Sequence, residues 1–146
     1  MRNLTFKYGV PNIMDLKLGT KKPKKSNVKF AKSTTNSHKF RINGMMVGLK
    51  KGDIFEECFV SKYFGQSITF QETEKYLSLF FFNGTSINTD LLKQILARLA
   101  ELIDCFKQFK GAKFLSSSLF LCYDGENPEK CELKLIDFDK YELGDP

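Results

Sequence analysis

An Asp and a Lys sit two residues apart in Pro11-Asn12-Ile13-Met14-Asp15-Leu16-Lys17-Leu18-Gly19, an otherwise apolar run between a Pro and a Gly. Residues two apart on an extended strand point to the same face, so Asp15 and Lys17 present a carboxylate and an ammonium side by side. A charge buried in such a run needs a partner or a chemical task. Two readings are open at this level: a satisfied ion pair at a strand end, or a reactive pair. A second candidate is Leu135-Ile136-Asp137-Phe138, where an apolar strand delivers an Asp as it leaves a core. Such a carboxylate can hold magnesium on nucleotide phosphates, because that ion takes one or two carboxylates and keeps several waters. In protein kinases an Asp-Phe pair has this task. Short apolar runs also end in Asp for purely structural reasons. Upstream, Ser116-Ser117-Ser118 opens the strand expected to pair with this one, which would bring a hydroxyl beside Asp137.

Other chemistries have little to work with. The single histidine, His38, argues against a His-based triad or a His-rich metal site. Cys58, Cys105, Cys122 and Cys131 are widely spaced, with no C-x-x-C pair for zinc or redox work. They read as reduced thiols of a cytoplasmic or nuclear protein. No stretch is long and apolar enough for a membrane span, and the N-terminus has no apolar h-region of a secretory signal. The charge is concentrated: residues 21 to 41 hold eight basic side chains and no acidic one. That segment carries +8 against a whole-chain net of +6, which leaves the remainder at −2. A block of like charge is either a solvated tract or a polyanion-binding surface.

The elements that must position these residues follow from pattern. Residues 4–20 read as an extended lead-in ending at Gly19, and 21–39 as a loop or weakly helical basic insertion. Phe40 to Leu49 has β-like runs on either side of Gly44. Thr69 with Glu72 three residues on forms a capping box, opening a helix that runs to about Phe82 and stops at Asn83-Gly84. Leu91, Leu92, Ile95, Leu96, Leu99, Leu102, Ile103 and Phe106 repeat at three and four, which predicts a helix over 89–110 with its apolar face in the core. Asn88 or Thr89 caps its start and Gly111 its end. Phe114 to Tyr123 and Cys131 to Phe138 read as a hairpin around Asp124-Gly125-Glu126-Asn127-Pro128. Strands, then helices, then a hairpin make an α+β domain.

At this point the residues resemble the inositol polyphosphate kinase family. Its P-x-x-x-D-x-K-x-G motif is matched at every fixed position by Pro11, Asp15, Lys17 and Gly19. Its Ser-Leu-Leu motif resembles Ser118-Leu119-Phe120, and its I-D-F motif is Ile136-Asp137-Phe138. Phe40-Arg41-Ile42 with Gly44-Met45, and Lys62-Tyr63-Phe64-Gly65-Gln66-Ser67, look like the family's strand after the basic segment and its turn before a helix. The motifs follow the family's order from about Leu4 to Lys140.

The resemblance implies Mg²⁺-dependent transfer of the ATP γ-phosphate to an inositol phosphate, a reaction run on positioning and charge neutralisation. By analogy Lys17 contacts the acceptor's phosphates and the transferring group, and Asp15 orients or deprotonates the attacking hydroxyl. Asp137 binds Mg²⁺ and Ser118 supports the metal or the nucleotide phosphates. Arg41, Lys29 and Lys32 grip the inositol's phosphates. The fold implied is the C-terminal-lobe-like part of a protein-kinase-related fold, with a small antiparallel sheet and hairpin packed with helices. The family places an N-terminal lobe of strands before its signature, whereas here Asn3-Leu4 already resembles the hinge. The expectation is therefore a single lobe over 1–146, with the missing nucleotide lobe supplied upstream or by a partner. Two alternatives stand beside the kinase: a pseudokinase that binds inositol phosphates or phosphoinositides, and a basic nucleic-acid-binding module. Against the last, no RNA-binding aromatic signature is present.

Overall fold

The computed structural model describes residues 3–19, 34–51, 54–109, 111–138 and 140–143. In chain order the elements are β1 (Pro11–Leu18), α1 (Thr34–His38), β2 (Phe40–Lys51), β3 (Ile54–Val60), α2 (Lys62–Gly65), α3 (Phe70–Phe80), α4 (Thr89–Lys107), β4 (Ala112–Phe114), β5 (Ser118–Asp124), β6 (Cys131–Ile136) and β7 (Tyr141–Leu143). Five strands form one antiparallel sheet in the order β3-β2-β1-β5-β6, and β4 pairs with β7 in a second, two-stranded sheet. This is the α+β architecture expected, with β1 at the centre.

Alternation along β1 gives the large sheet two unlike faces. Met14 and Leu16 belong to one face and Asp15 and Lys17 to the other. Cross-strand partners share a face, so Met14 lines up with Met45 and Leu121, and Leu16 with Ile42 and Leu119. These side chains form the core together with Val47, Phe80, Leu91, Ile95, Tyr123 and Leu133. Phe80 is fully buried and meets Phe81 and Tyr123 edge-on, with ring centroids 5.2 Å away in each case. The Tyr123 hydroxyl donates to the Phe80 carbonyl at 2.7 Å, tying the end of α3 to β5.

The helices begin where local chemistry directs. The Thr69 side chain accepts from the Glu72 amide, and the Glu72 carboxylate accepts from the Thr69 amide at 2.7 Å, which completes the capping box. Asn88 caps α4 by accepting from the Leu91 amide at 3.0 Å. Its apolar stripe is wider than the face it buries: Leu91 and Ile95 are in the core, while Leu96 and Ile103 are about half exposed. The helix ends at Lys107 with Gln108 as its cap, so Gly111 is not its stop.

Several boundaries differ from expectation. Residues 4–7 form a turn, with the Asn3 side chain accepting from Thr5 and Tyr8 donating its amide to Thr5, so β1 starts only at Pro11. The strand expected over 114–123 is broken into β4 and β5 because Ser116 takes a left-handed conformation, φ 59°. The strand expected to run to Phe138 ends at Ile136 because Asp137 does the same, φ 58°. Instead of separate runs around Gly44, β2 is one strand of 12 residues. The edge strand β3 has no counterpart among the expected elements. The basic segment is described only from Thr34, where α1 begins.

Candidate active site

The face of the sheet away from the core brings the predicted residues together. Lys17 is paired across the ladders with Arg41 on β2 and Ser118 on β5, and Ser118 in turn with Ile136 on β6. The next row places Asp15 opposite Gly44 and Phe120. Asp137 follows directly on Ile136, at the end of the first row. Its left-handed backbone, which Asp adopts more readily than most residues, takes the chain off the strand there. Phe138 packs edge-on against Phe114 with centroids 6.4 Å apart, and Phe114 against Phe106 of α4 at 5.4 Å. An aromatic cluster thus anchors the residue next to Asp137.

Lys17 and Asp137 lie 120 positions apart in the chain, yet the Lys17 ammonium sits 3.4 Å from Asp137 Oδ2. The Lys17 side chain is 19% exposed and that of Asp137 59%. An ion pair this long and this open contributes at most about 1 kcal/mol to stability. The carboxylate therefore remains available to another cation.

Two carboxylates on this sheet show what a purely structural acid looks like and what a different one looks like. Asp124 is buried and saturated: it accepts from the amides of Val10 at 3.1 Å and Glu126 at 3.2 Å, with the Lys130 ammonium 3.7 Å away. Burial alone would raise its pKa, but the amides of Val10, Glu126 and Gly9 together with Lys130 hold it below the usual value. Asp15 is half satisfied. Its Oδ2 accepts from the Asn43 side chain at 2.7 Å, while its Oδ1 is buried and accepts no hydrogen bond among the described residues. The Ser118 hydroxyl is likewise fully buried with no hydrogen-bond partner among them. Polar atoms left in that condition cost free energy unless a ligand or an ordered water satisfies them.

Arg41 is half-buried and donates to Thr35 Oγ1 of α1 at 3.2 Å. Burial lowers its pKa and the nearby Asp15 charge works against that; a guanidinium stays charged regardless. Lys29 and Lys32 lie outside the described residues. Asn43 is the member of the site that sequence reasoning missed. The signal was present, since Asn-Gly inside a strand pattern marks a bulge.

The donor set fits one kind of metal site. Among the described residues no three His, Cys, Asp or Glu side chains cluster, so an all-protein cage is absent there. One open carboxylate and one unpartnered hydroxyl suit a magnesium-like ion whose other ligands are waters and substrate phosphates.

The sequence profile described as inositol polyphosphate kinase matches residues 1–145. The chain belongs to that family. Among relatives, human inositol hexakisphosphate kinase 2 is 33% identical over 155 residues, covering 99% of this chain and 35% of the relative. Mouse inositol hexakisphosphate kinase 3 is 32% identical over 138 residues, covering 88% of this chain and 34% of the relative. The chain thus spans about a third of the length of the curated relatives it matches. Among solved structures, the Saccharomyces cerevisiae inositol phosphate multikinase Ipk2 in complex with ADP and Mn²⁺ superposes with a TM-score of 0.70 at 25% identity, covering 97% of this chain and 72% of that one. A second inositol phosphate multikinase structure gives 0.79 at 26% identity, covering 98% and 73%. The fold expected from the motifs is therefore the fold the chain has.

Proposed function

We propose that this chain carries the acceptor- and metal-binding face of an ATP-dependent inositol phosphate kinase. The observation that carries this reading is the meeting of Lys17 and Asp137, beside two buried polar atoms, Asp15 Oδ1 and Ser118 Oγ, that no described residue satisfies.

In the reaction, an oxygen of the inositol phosphate forms a bond to the γ-phosphorus of ATP. The bond from that phosphorus to the bridging oxygen breaks, and its electron pair leaves on ADP. When the attacking group is a hydroxyl, its proton passes to Asp15 Oδ1 and then to solvent. Lys17, inside the same row as Ser118, neutralises charge on the transferring group and on the acceptor's phosphates. Arg41 adds a planar, always-charged grip for an acceptor phosphate. Asp137, supported by Ser118, would hold a divalent ion, and that ion would supply charge neutralisation for the nucleotide phosphates.

The test uses the complete gene product, ATP, Mg²⁺ and a panel of inositol phosphates that includes inositol hexakisphosphate, the substrate in the names of the most similar relatives shown above. The expected result is metal-dependent transfer that Lys17→Ala and Asp137→Asn both remove. Tight inositol phosphate binding with no transfer would establish the binding-only alternative. Oligonucleotide binding that weakens steeply with salt, without inositol phosphate binding, would establish the nucleic-acid alternative.

A further inference from the structure

Asn43 owes its place to a break in register. Asp15 faces Gly44 across the β1–β2 ladder, but the next residue, Leu16, faces Ile42, so Asn43 has no partner on β1. Two residues of β2 span the place of one, which is a β-bulge. An unbroken ladder would set Asn43 opposite Leu16 and turn it toward the core. The bulge instead keeps Ile42 and Met45 buried on the core side and lets the Asn43 side chain reach Asp15. A carboxylate only accepts, so the atom 2.7 Å from Asp15 Oδ2 must be the amide nitrogen and not the amide oxygen.

We infer that Asn43 is the positioning residue for Asp15, and this role rests on the phosphotransfer reading above. One oxygen of Asp15 is pinned by a neutral donor; the other, Oδ1, is thereby set in one orientation, buried and unoccupied among the described residues. This donor is neutral, so the pinning adds no further cation to the nearby Arg41 charge. A Lys at this place would form an ion pair with Asp15 and draw charge from the oxygen that must meet the acceptor. Bulges re-aim side chains in this manner at the edge of active sites. A turn of the carboxylate about its own axis would move Oδ1 by about an ångström, a displacement that can lower a rate about 100-fold.

The experiment compares two substitutions in the complete gene product. Asn43→Ala removes the donor and the bulk; Asn43→Asp keeps the shape and replaces the donor with a second acceptor. The expected result is a fall in kcat of about 10- to 100-fold for Asn43→Ala with KM for ATP unchanged, and a larger fall for Asn43→Asp. A residue that merely fills space predicts the opposite order, with the isostere the better enzyme, and that order would overturn the role. Wild-type kcat in Asn43→Ala would overturn it too. The pair itself is read separately by the Asn43 side-chain amide protons in ¹⁵N-edited spectra. One proton should shift in Asp15→Asn, and no shift would show that the hydrogen bond is absent in solution and overturn the inference. A wild-type protein that transfers no phosphate overturns the phosphotransfer reading and this role with it, while the amide shift still reports whether the pair exists.

Discussion

The two faces of the five-stranded sheet share a backbone and differ in almost everything else. On the helix-covered face, Met14, Ile42, Val47, Phe80, Leu91 and Leu121 are packed with little or no exposure, and the buried Tyr123 hydroxyl beside them has its partner. On the opposite face the same strands carry Asp15, Lys17, Arg41 and Ser118, with Asp137 at the row's end, and leave buried polar atoms that no described residue satisfies. Moving one residue along β1 crosses from one regime to the other. On the proposed reading the first face is built for stability and the second for ligands, because a ligand repays a desolvated and unpaired oxygen. The covered face also explains how the second can leave polar atoms unpaired: its packing supplies the stability that the second face forgoes.

Four substitutions break or sharpen this contrast. The largest effect is expected for Asp137→Asn and Lys17→Ala, each lowering phosphoryl transfer by about 10³-fold or more, measured as initial rates at saturating ATP. Their urea midpoints should match wild type, because an exposed pair 3.4 Å long contributes little to folding. A large loss of stability would return Lys17 and Asp137 to the status of a structural ion pair. Next comes Phe80→Ala, which should cost about 3–5 kcal/mol in equilibrium unfolding and leave kcat of the folded fraction near wild type. The smallest and most discriminating is Ser118→Ala. Removing a buried hydroxyl with no described partner should leave the melting temperature unchanged or slightly raised, while transfer falls about 10-fold. Lower stability with normal activity would place Ser118 among the structural residues.

What was legible in the sequence divides along similar lines. The Thr69–Glu72 box and the Asn88 cap were readable because each is closed by groups three residues apart. Asp15 and Lys17 were readable as a same-face pair because strand period alone places them so. The left-handed residues at Ser116 and Asp137 were not, since nothing in a local run of serines or in Ile-Asp-Phe demands φ near +60°. β3 was obscured by adjacent Glu56 and Glu57, which interrupt the alternation and are tolerated on an edge strand. Asn43 was signalled only indirectly, by the glycine beside it in a strand pattern. Which side chain the bulge turns toward Asp15 is a property of two strands in register. The contribution of Lys29 and Lys32 lies outside the described residues.

The most direct test of the contrast is to add ADP with Mn²⁺ to the complete gene product and map paramagnetic broadening residue by residue in NMR spectra. Broadening centred on Asp137, Ser118 and Lys17, sparing Met45 and Leu91 across the sheet and absent in Asp137→Asn, is the result expected. Broadening centred on the helices, or a pattern that Asp137→Asn leaves unchanged, would contradict the assignment of this face as the metal site.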